Sequence, residues 1–247
     1  MSIGALECLR YNEERTEENP NPCQERHFMR KIIVLLTFVL ILMSACANND
    51  NEPDVHTQAT IARFRINEIQ EYQGKMLDPA IGPRDNSIKG TQHIDIQNYT
   101  LTIKGLDGST VDLRYNDVIA LTSYQRLITL HCVEGWDATI LWEGVLLSDL
   151  ITLAHPSVNV KTIIFHAVDG YTTSLPYQII LDKQLILAYK GNGLALPDEM
   201  GYPFIVVAEN KLGYKWARWV TEIELSSDEN YKGYWESRGY TNSADVK

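Results

Sequence analysis

The stretch Leu127-Ile128-Thr129-Leu130-His131-Cys132-Val133-Glu134-Gly135-Trp136, with Thr139-Ile140-Leu141-Trp142-Glu143-Gly144-Val145 close behind it, decides how the chain is read. Successive side chains of an extended chain point to opposite sides, so Ile128, Leu130 and Cys132 share one face and Leu127, Thr129 and His131 the other. That alternation sets Cys132 near a strand end and turns His131 away from it. Thr139 to Trp142 is predicted as the next strand. Gly144 to Ala154 then holds a short helix, with Leu146, Leu147, Leu150 and Ile151 at helical spacing and Pro156 ending it.

The same patterns continue outward in both directions. Upstream, Tyr99 to Ile103 alternates as a strand, Asp107-Gly108 turns the chain, and Val111 to Leu113 returns it as a hairpin. Downstream, Thr162 to Ala167 is apolar enough to be a buried strand and Asp169-Gly170 marks a turn. Leu185 to Tyr189 and Phe204 to Val207 are strands, and Trp219, Thr221, Ile223 and Leu225 share one face of a last one. Many short strands with two or three short helices predict an α+β domain, mainly β, in a single compact unit. The segment from Asp228 to Lys247 is polar, yet Tyr231, Tyr234, Trp235 and Tyr240 predict that it packs onto the domain.

The N-terminal part is not part of that unit. The run from Ile32 to Met43 is too short to cross a bilayer as a helix, which takes roughly 20 residues. Arg30-Lys31 before it and Met43-Ser44-Ala45-Cys46 after it give a signal peptide ending in a sequence that resembles the lipobox of bacterial lipoproteins. Residues 1–28 are read as lying upstream of the true start at Met29, and 29–45 as the signal peptide. Cys46 is the lipidated residue, 46–60 a polar tether and 61–247 the domain. These readings place the protein outside the cytoplasm, anchored to membrane by lipid. The alternative is a plain signal peptide with an ordinary Cys46.

Composition narrows the function further. With 247 residues, 45% of them hydrophobic, the chain can bury a full core. A formal charge of −10 offers no basic surface for nucleic acid. Of the four cysteines, Cys8 and Cys23 precede Met29 and Cys46 is taken by lipid, which leaves Cys132 with no disulfide partner. A lone thiol in an oxidising compartment is either buried and inert or bound to something. No zinc spacing among the histidines, nucleophile elbow, phosphate loop or dinucleotide fingerprint is present.

The segment His131 to Trp136 resembles the Cys-Val-Glu-Gly-Trp signature of the sulfite oxidase-like, molybdopterin-binding oxidoreductases, and the resemblance spans roughly residues 70 to 240. It includes Asp85-Asn86-Ser87-Ile88-Lys89-Gly90, Asp169 to Pro176, Asn192 to Pro197, Gly201-Tyr202-Pro203, and Gly213 to Val220 with Ile223-Glu224-Leu225. It implies the sulfite oxidase-type fold, molybdenum-molybdopterin as cofactor, and Cys132 as both metal ligand and catalytic residue. A soft thiolate suits such a metal, which deprotonates it outright. By position, Asn86, Lys89, Gly90, Lys215, Trp216, Ala217 and Arg218 would contact the pterin and its phosphate. Read without the family, Lys215 and Arg218 are equally surface cations whose stems cover Trp216 and Trp219.

The implied activity is oxygen-atom transfer, either reduction of an S-oxide on a small or protein-bound substrate or oxidation of a sulfite-like anion. A separate electron-transfer partner and a monomeric state go with it. The chain departs from its relatives at Ile205, where they carry an arginine. It also departs at Met200 and Ala167, where S-oxide-reducing relatives carry Asn and Thr, and in a leader without a twin arginine. A cofactor-free binding lipoprotein of the same fold is the alternative function.

Overall fold

The computed structural model describes residues 55–246; the start at Met29, the signal peptide and Cys8, Cys23 and Cys46 lie outside the described residues. Helix α1 (Val55–Arg65) begins within the segment read as tether, and its Ile61 and Phe64 already lie against the core. A small hairpin follows, β1 (Glu71–Tyr72) and β2 (Lys75–Met76).

The chain then shuttles between two five-stranded sheets. β3 (Leu101–Lys104) and β4 (Thr110–Leu113) form the predicted hairpin in the first sheet. Helix α2 (Tyr115–Ile119) carries the chain to the second sheet, where β5 (Ser123–His131) pairs antiparallel with β6 (Asp137–Leu146) over nine residue pairs. Helix α3 (Leu147–Thr152) returns it to the first sheet for β7 (Thr162–Ala167) and β8 (Thr172–Pro176). Helix α4 (Tyr177–Lys183) leads back to the second for β9 (Ile186–Gly191), β10 (Leu194–Ala195) and β11 (Ile205–Val207). A 3-10 turn at Gly213–Lys215 then feeds β12 (Val220–Ser226) into the first sheet. The strand orders are β4-β3-β12-β7-β8 and β10-β9-β6-β5, with β11 also on β9.

β12 lies between β3, to which it is parallel, and β7, to which it is antiparallel. Both sheets contribute to one continuous core: Ile103, Phe165 and Ile223 from the first meet Ile140, Trp142, Ala188 and Val206 from the second. The expected α+β, mainly β, single domain is therefore present.

Three local expectations are corrected. β6 runs on to Leu146, which ends the strand and caps α3 instead of joining its apolar face, because the chain stays paired with β9 through Leu146↔Ile186. Residues 172–183, for which the sequence reading assigns no element, form β8 and α4. Threonines and a serine make β8, and their inward faces are buried by the neighbouring strand rather than by their own hydrophobicity. In β12 a bulge between Val220 and Glu222 breaks the strict alternation, so Val220, Ile223 and Leu225 are buried while Thr221 is half-exposed.

Candidate active site

Cys132 stands in the five-residue connection between β5 and β6. Its N–H donates to the carbonyl of Trp136 (2.9 Å), and the N–H of Gly135 donates to its own carbonyl (3.1 Å). Gly135 closes this turn at φ +86°, a conformation that costs any other residue. One residue back, His131 forms an isolated parallel bridge with Leu212, which draws the Gly213–Lys215 turn alongside the thiol. His131 itself faces away, its Nδ1 2.8 Å from Oδ1 of Asp137. Opposite, Gly82 lies so close to Trp136 that an added Cβ would sit 2.8 Å from the indole. Segment 81–88 therefore forms the facing wall.

Between these segments is a cavity of about 410 Å³, within the range of roughly 300–1,000 Å³ that cofactor and ligand sites occupy. Cys132, in no disulfide among the described residues, opens onto it half-buried. Four indoles, Trp136, Trp216, Trp219 and Trp235, line it together with Ile205 and Met200. Its charged lining is acidic on balance: Asp85, Glu134, Asp169 and Glu199 against Arg84 and Arg218.

The thiol is pushed up from its ordinary pKa, first by burial and then by the Glu134 carboxylate, against the pull of the Glu134 and Val133 backbone and the Asn86 amide. Asn86 Nδ2 lies 3.5 Å from Sγ and 3.4 Å from Glu134 Oε2. Cys132 is thus a protonated thiol already surrounded by groups that favour a thiolate. A metal ion would take the proton's place.

The residues expected around the cofactor divide. Asn86, Trp216 and Arg218 line the cavity with Cys132. Arg218 spans two walls, donating from Nη1 to the Glu199 carbonyl at 2.7 Å and from Nη2 to Asp85 at 3.3 Å, with its guanidinium 4.5 Å from the Trp219 ring centroid. Burial lowers its pKa and Asp85 opposes that shift. Five donors on the fork and two engagements leave donors for an anion. Lys89 and Gly90 are not among the residues that line the cavity: Lys89 is exposed with its ammonium beside Gly170, and Gly90 is exposed in a left-handed turn. Ala217 is fully buried behind the wall, where its carbonyl accepts from Val206 N–H.

Lys215 is not brought to the cavity. It is fully buried and its ammonium meets the equally buried Glu236 carboxylate, the Ser174 carbonyl (3.0 Å) and Asn242 Oδ1 (3.0 Å). Burial lowers its pKa, against Glu236. Breaking such a buried pair by removing one member costs about 3–5 kcal/mol, against about 0–1 for a surface pair. Lys215 closes the 3-10 turn Gly213–Lys215, where the alternation of an extended chain does not hold, and Gly213, Tyr214, Trp216, Arg218 and Trp219 line the cavity while Lys215 and Ala217 do not. Missed altogether were Trp235 and Tyr240, which line the cavity from the C-terminal segment; their aromatic character was visible, their destination was not.

The lone thiol, the indole walls and the free donors of Arg218 fit a planar, phosphate-bearing metal cofactor. Residues 88–235 match the family model described as the oxidoreductase molybdopterin binding domain. The chain is 33% identical over 147 residues, 59% of its length and 74% of the relative's, to an uncharacterized oxidoreductase of Bacillus subtilis. It is 28% identical over 217 residues, 81% of its length and 80% of the relative's, to a putative protein-methionine-sulfoxide reductase subunit of Azospira oryzae. Among solved structures, the sulfane dehydrogenase SoxCD of Paracoccus pantotrophus superposes with a TM-score of 0.55 at 18% identity, over 74% of this chain and 55% of that one. That likeness is one of fold, the sulfite oxidase-type fold.

Proposed function

The chain belongs to the oxidoreductase molybdopterin-binding domain family, and from that membership we propose an extracytoplasmic, lipid-anchored enzyme that reduces S-oxides, with Cys132 as the metal ligand. The observation that carries the reading is the Cys132 thiol, in no disulfide among the described residues, opening onto a cavity with aromatic walls and an acidic balance of charge. With Arg218 paired to Asp85 and Arg84 to Glu134, the lining has no cation set aside for a substrate anion and keeps Asp169 and Glu199 in excess, a balance that favours a neutral S-oxide over sulfite. Aromatic walls also favour a sulfur-bearing, apolar substrate.

Reduction of an S-oxide consumes two electrons and two protons and releases a sulfide and water. Molybdenum-molybdopterin, when bound, supplies the oxygen-atom acceptor and the two-electron relay. The residues of this chain do the rest. Cys132 gives up its proton and offers a thiolate, which Asn86 and the backbone N–H groups of Val133 and Glu134 steady. Arg218 would offer its remaining donors to the phosphate, with the exposed Lys89 beside Gly170 adding a point charge. Trp136, Trp216 and Trp219 exclude water. The electrons come from a separate partner, since no haem motif is present in the sequence.

Elemental mass spectrometry on the purified full chain tests this. We expect about one molybdenum per chain in the native protein and less than about a tenth of that in Cys132→Ser, whose hydroxyl is a poor soft-metal ligand. Reduced-dye oxidation by dimethyl sulfoxide should accompany the metal. Molybdenum absent from both proteins would transfer the reading to a cofactor-free binding lipoprotein. Turnover of sulfite alone would reverse the substrate assignment.

A further inference from the structure

The C-terminal segment 227–246 crosses the domain as a strap, and it is fastened more firmly than a surface tail requires. The Tyr234 N–H donates to the Thr172 carbonyl at 2.8 Å, and at Gly233 an added Cβ would sit 2.3 Å from that same oxygen. Leu212 N–H donates to the Ala244 carbonyl (2.8 Å), and Lys211 Nζ binds the Ser243 carbonyl (2.9 Å) and Asp245. At the centre is Glu236, buried on its own strand-less 3-10 turn, which receives Thr173 Oγ1 at 2.8 Å and the Lys215 ammonium on Oε1. Its second oxygen, Oε2, is buried without a partner.

A buried charge pair with one unmet oxygen adds little to stability compared with an apolar packing of the same volume. What it does supply is position. Lys215 precedes the cavity residue Trp216, and Glu236 follows the cavity residue Trp235, so the pair ties the floor of the site to the strap. The rings around it form a continuous series. Tyr171 to Tyr234 is 5.8 Å between centroids, Tyr234 to Trp235 is 5.2 Å, Trp235 to Tyr240 is 5.1 Å and Tyr240 to Tyr214 is 5.2 Å.

We propose that Trp235 and Tyr240 form a selecting wall of the substrate cavity, favouring S-oxides with a flat or bulky apolar substituent, and that Glu236 is the positioning residue that holds this wall through Lys215. The inference rests on the S-oxide reading of the cavity. A flat substituent gains offset or edge contact with the two rings that a methyl group cannot make.

The test uses the molybdenum-loaded full chain and two inert analogues that bind without turnover, methyl phenyl sulfone and dimethyl sulfone, in calorimetric titrations. We expect the native protein to prefer the phenyl compound. Trp235→Ala should cut that preference roughly tenfold, Tyr240→Ala less, and Trp235→Phe should restore most of it. Glu236→Gln, of unchanged shape, should reduce the preference in the same direction and raise amide exchange in 211–216 and 229–246 while β6 and β7 stay protected. A native protein without the preference, or a preference unmoved in both Trp235→Ala and Tyr240→Ala, would overturn the selecting wall. Should Glu236→Gln fail to fold, the two aromatic variants decide. S-oxide turnover is measured separately: its absence with the phenyl preference intact would reject the substrate reading and leave the wall standing.

Discussion

At the scale of single residues, the chemistry depends on a thiol that is kept protonated until something displaces the proton. Burial pushes Cys132 up, so the cofactor-free protein should react slowly with iodoacetamide at neutral pH and faster only as pH passes the ordinary thiol range near about 8.5. Mass-spectrometric rates at stepped pH check this. A fast reaction at pH 7 would mean a depressed thiol pKa. Cys132 was legible in the sequence because its neighbours form a signature and strand alternation fixes its face. Lys215 was not, because the residue that claims its charge, Glu236, is 21 positions away in a segment with no pattern of its own. Where a cation lies three residues from a second cation, only the backbone direction decides which one serves the site, and here it sends Arg218 inward and Lys215 out.

Among the elements, cross-strand ion pairs hold the outer faces of both sheets. On the second sheet Glu143 of β6 accepts from Lys190 (2.7 Å), Gln125 (3.0 Å) and Tyr189 (3.2 Å). On the first, Glu224 of β12 lies between Lys104 (2.8 Å) and His166 (2.8 Å), with Glu222 3.5 Å from the same imidazole. Burial raises the Glu143 carboxyl but the three donors outweigh it, and its pKa is lowered. A carboxyl lowered in the folded state stabilises above the unfolded pKa and loses that contribution as pH falls through the folded one. Glu143→Gln should therefore lower the urea midpoint at pH 7, and the difference should vanish as pH falls below the usual carboxylate range. A difference independent of pH would show that shape, not charge, matters there. The strands themselves were mostly readable, since β3, β5, β7 and β9 carry strong alternation or apolar runs. β8 was not, because Thr-Thr-Ser draws its burial from β7 and from the strap, contacts distant in sequence. The β12 bulge escaped for a similar reason: pairing with β7, not composition, shifts its phase.

For the whole molecule, the sequence alone carries the reading of export and anchoring. Radiolabelled palmitate should mark the native protein in its own membranes, and Cys46→Ala should lose the label and accumulate as uncleaved precursor. Persistence of label in that variant would dismiss Cys46 as the attachment point. Composition and periodicity announce many short strands with a few short helices, yet not that the chain alternates between two sheets through α2, α3 and α4, since those crossings are set by packing.

The parallel contact of β3 with β12 has a further consequence, for the order in which the molecule can be made. Lys104 and Glu224 pair across 120 positions, so the central strand of the first sheet is made long after its neighbour β3. Cys132 is thus translated well before Trp216, Arg218 and the strap that will surround it. Until those residues are made, the thiol at the end of β5 has only part of its cavity wall. A group settling there can be enclosed only after Trp216, Arg218 and segment 227–246 have been made, so its enclosure waits on residues that follow the thiol by more than eighty positions.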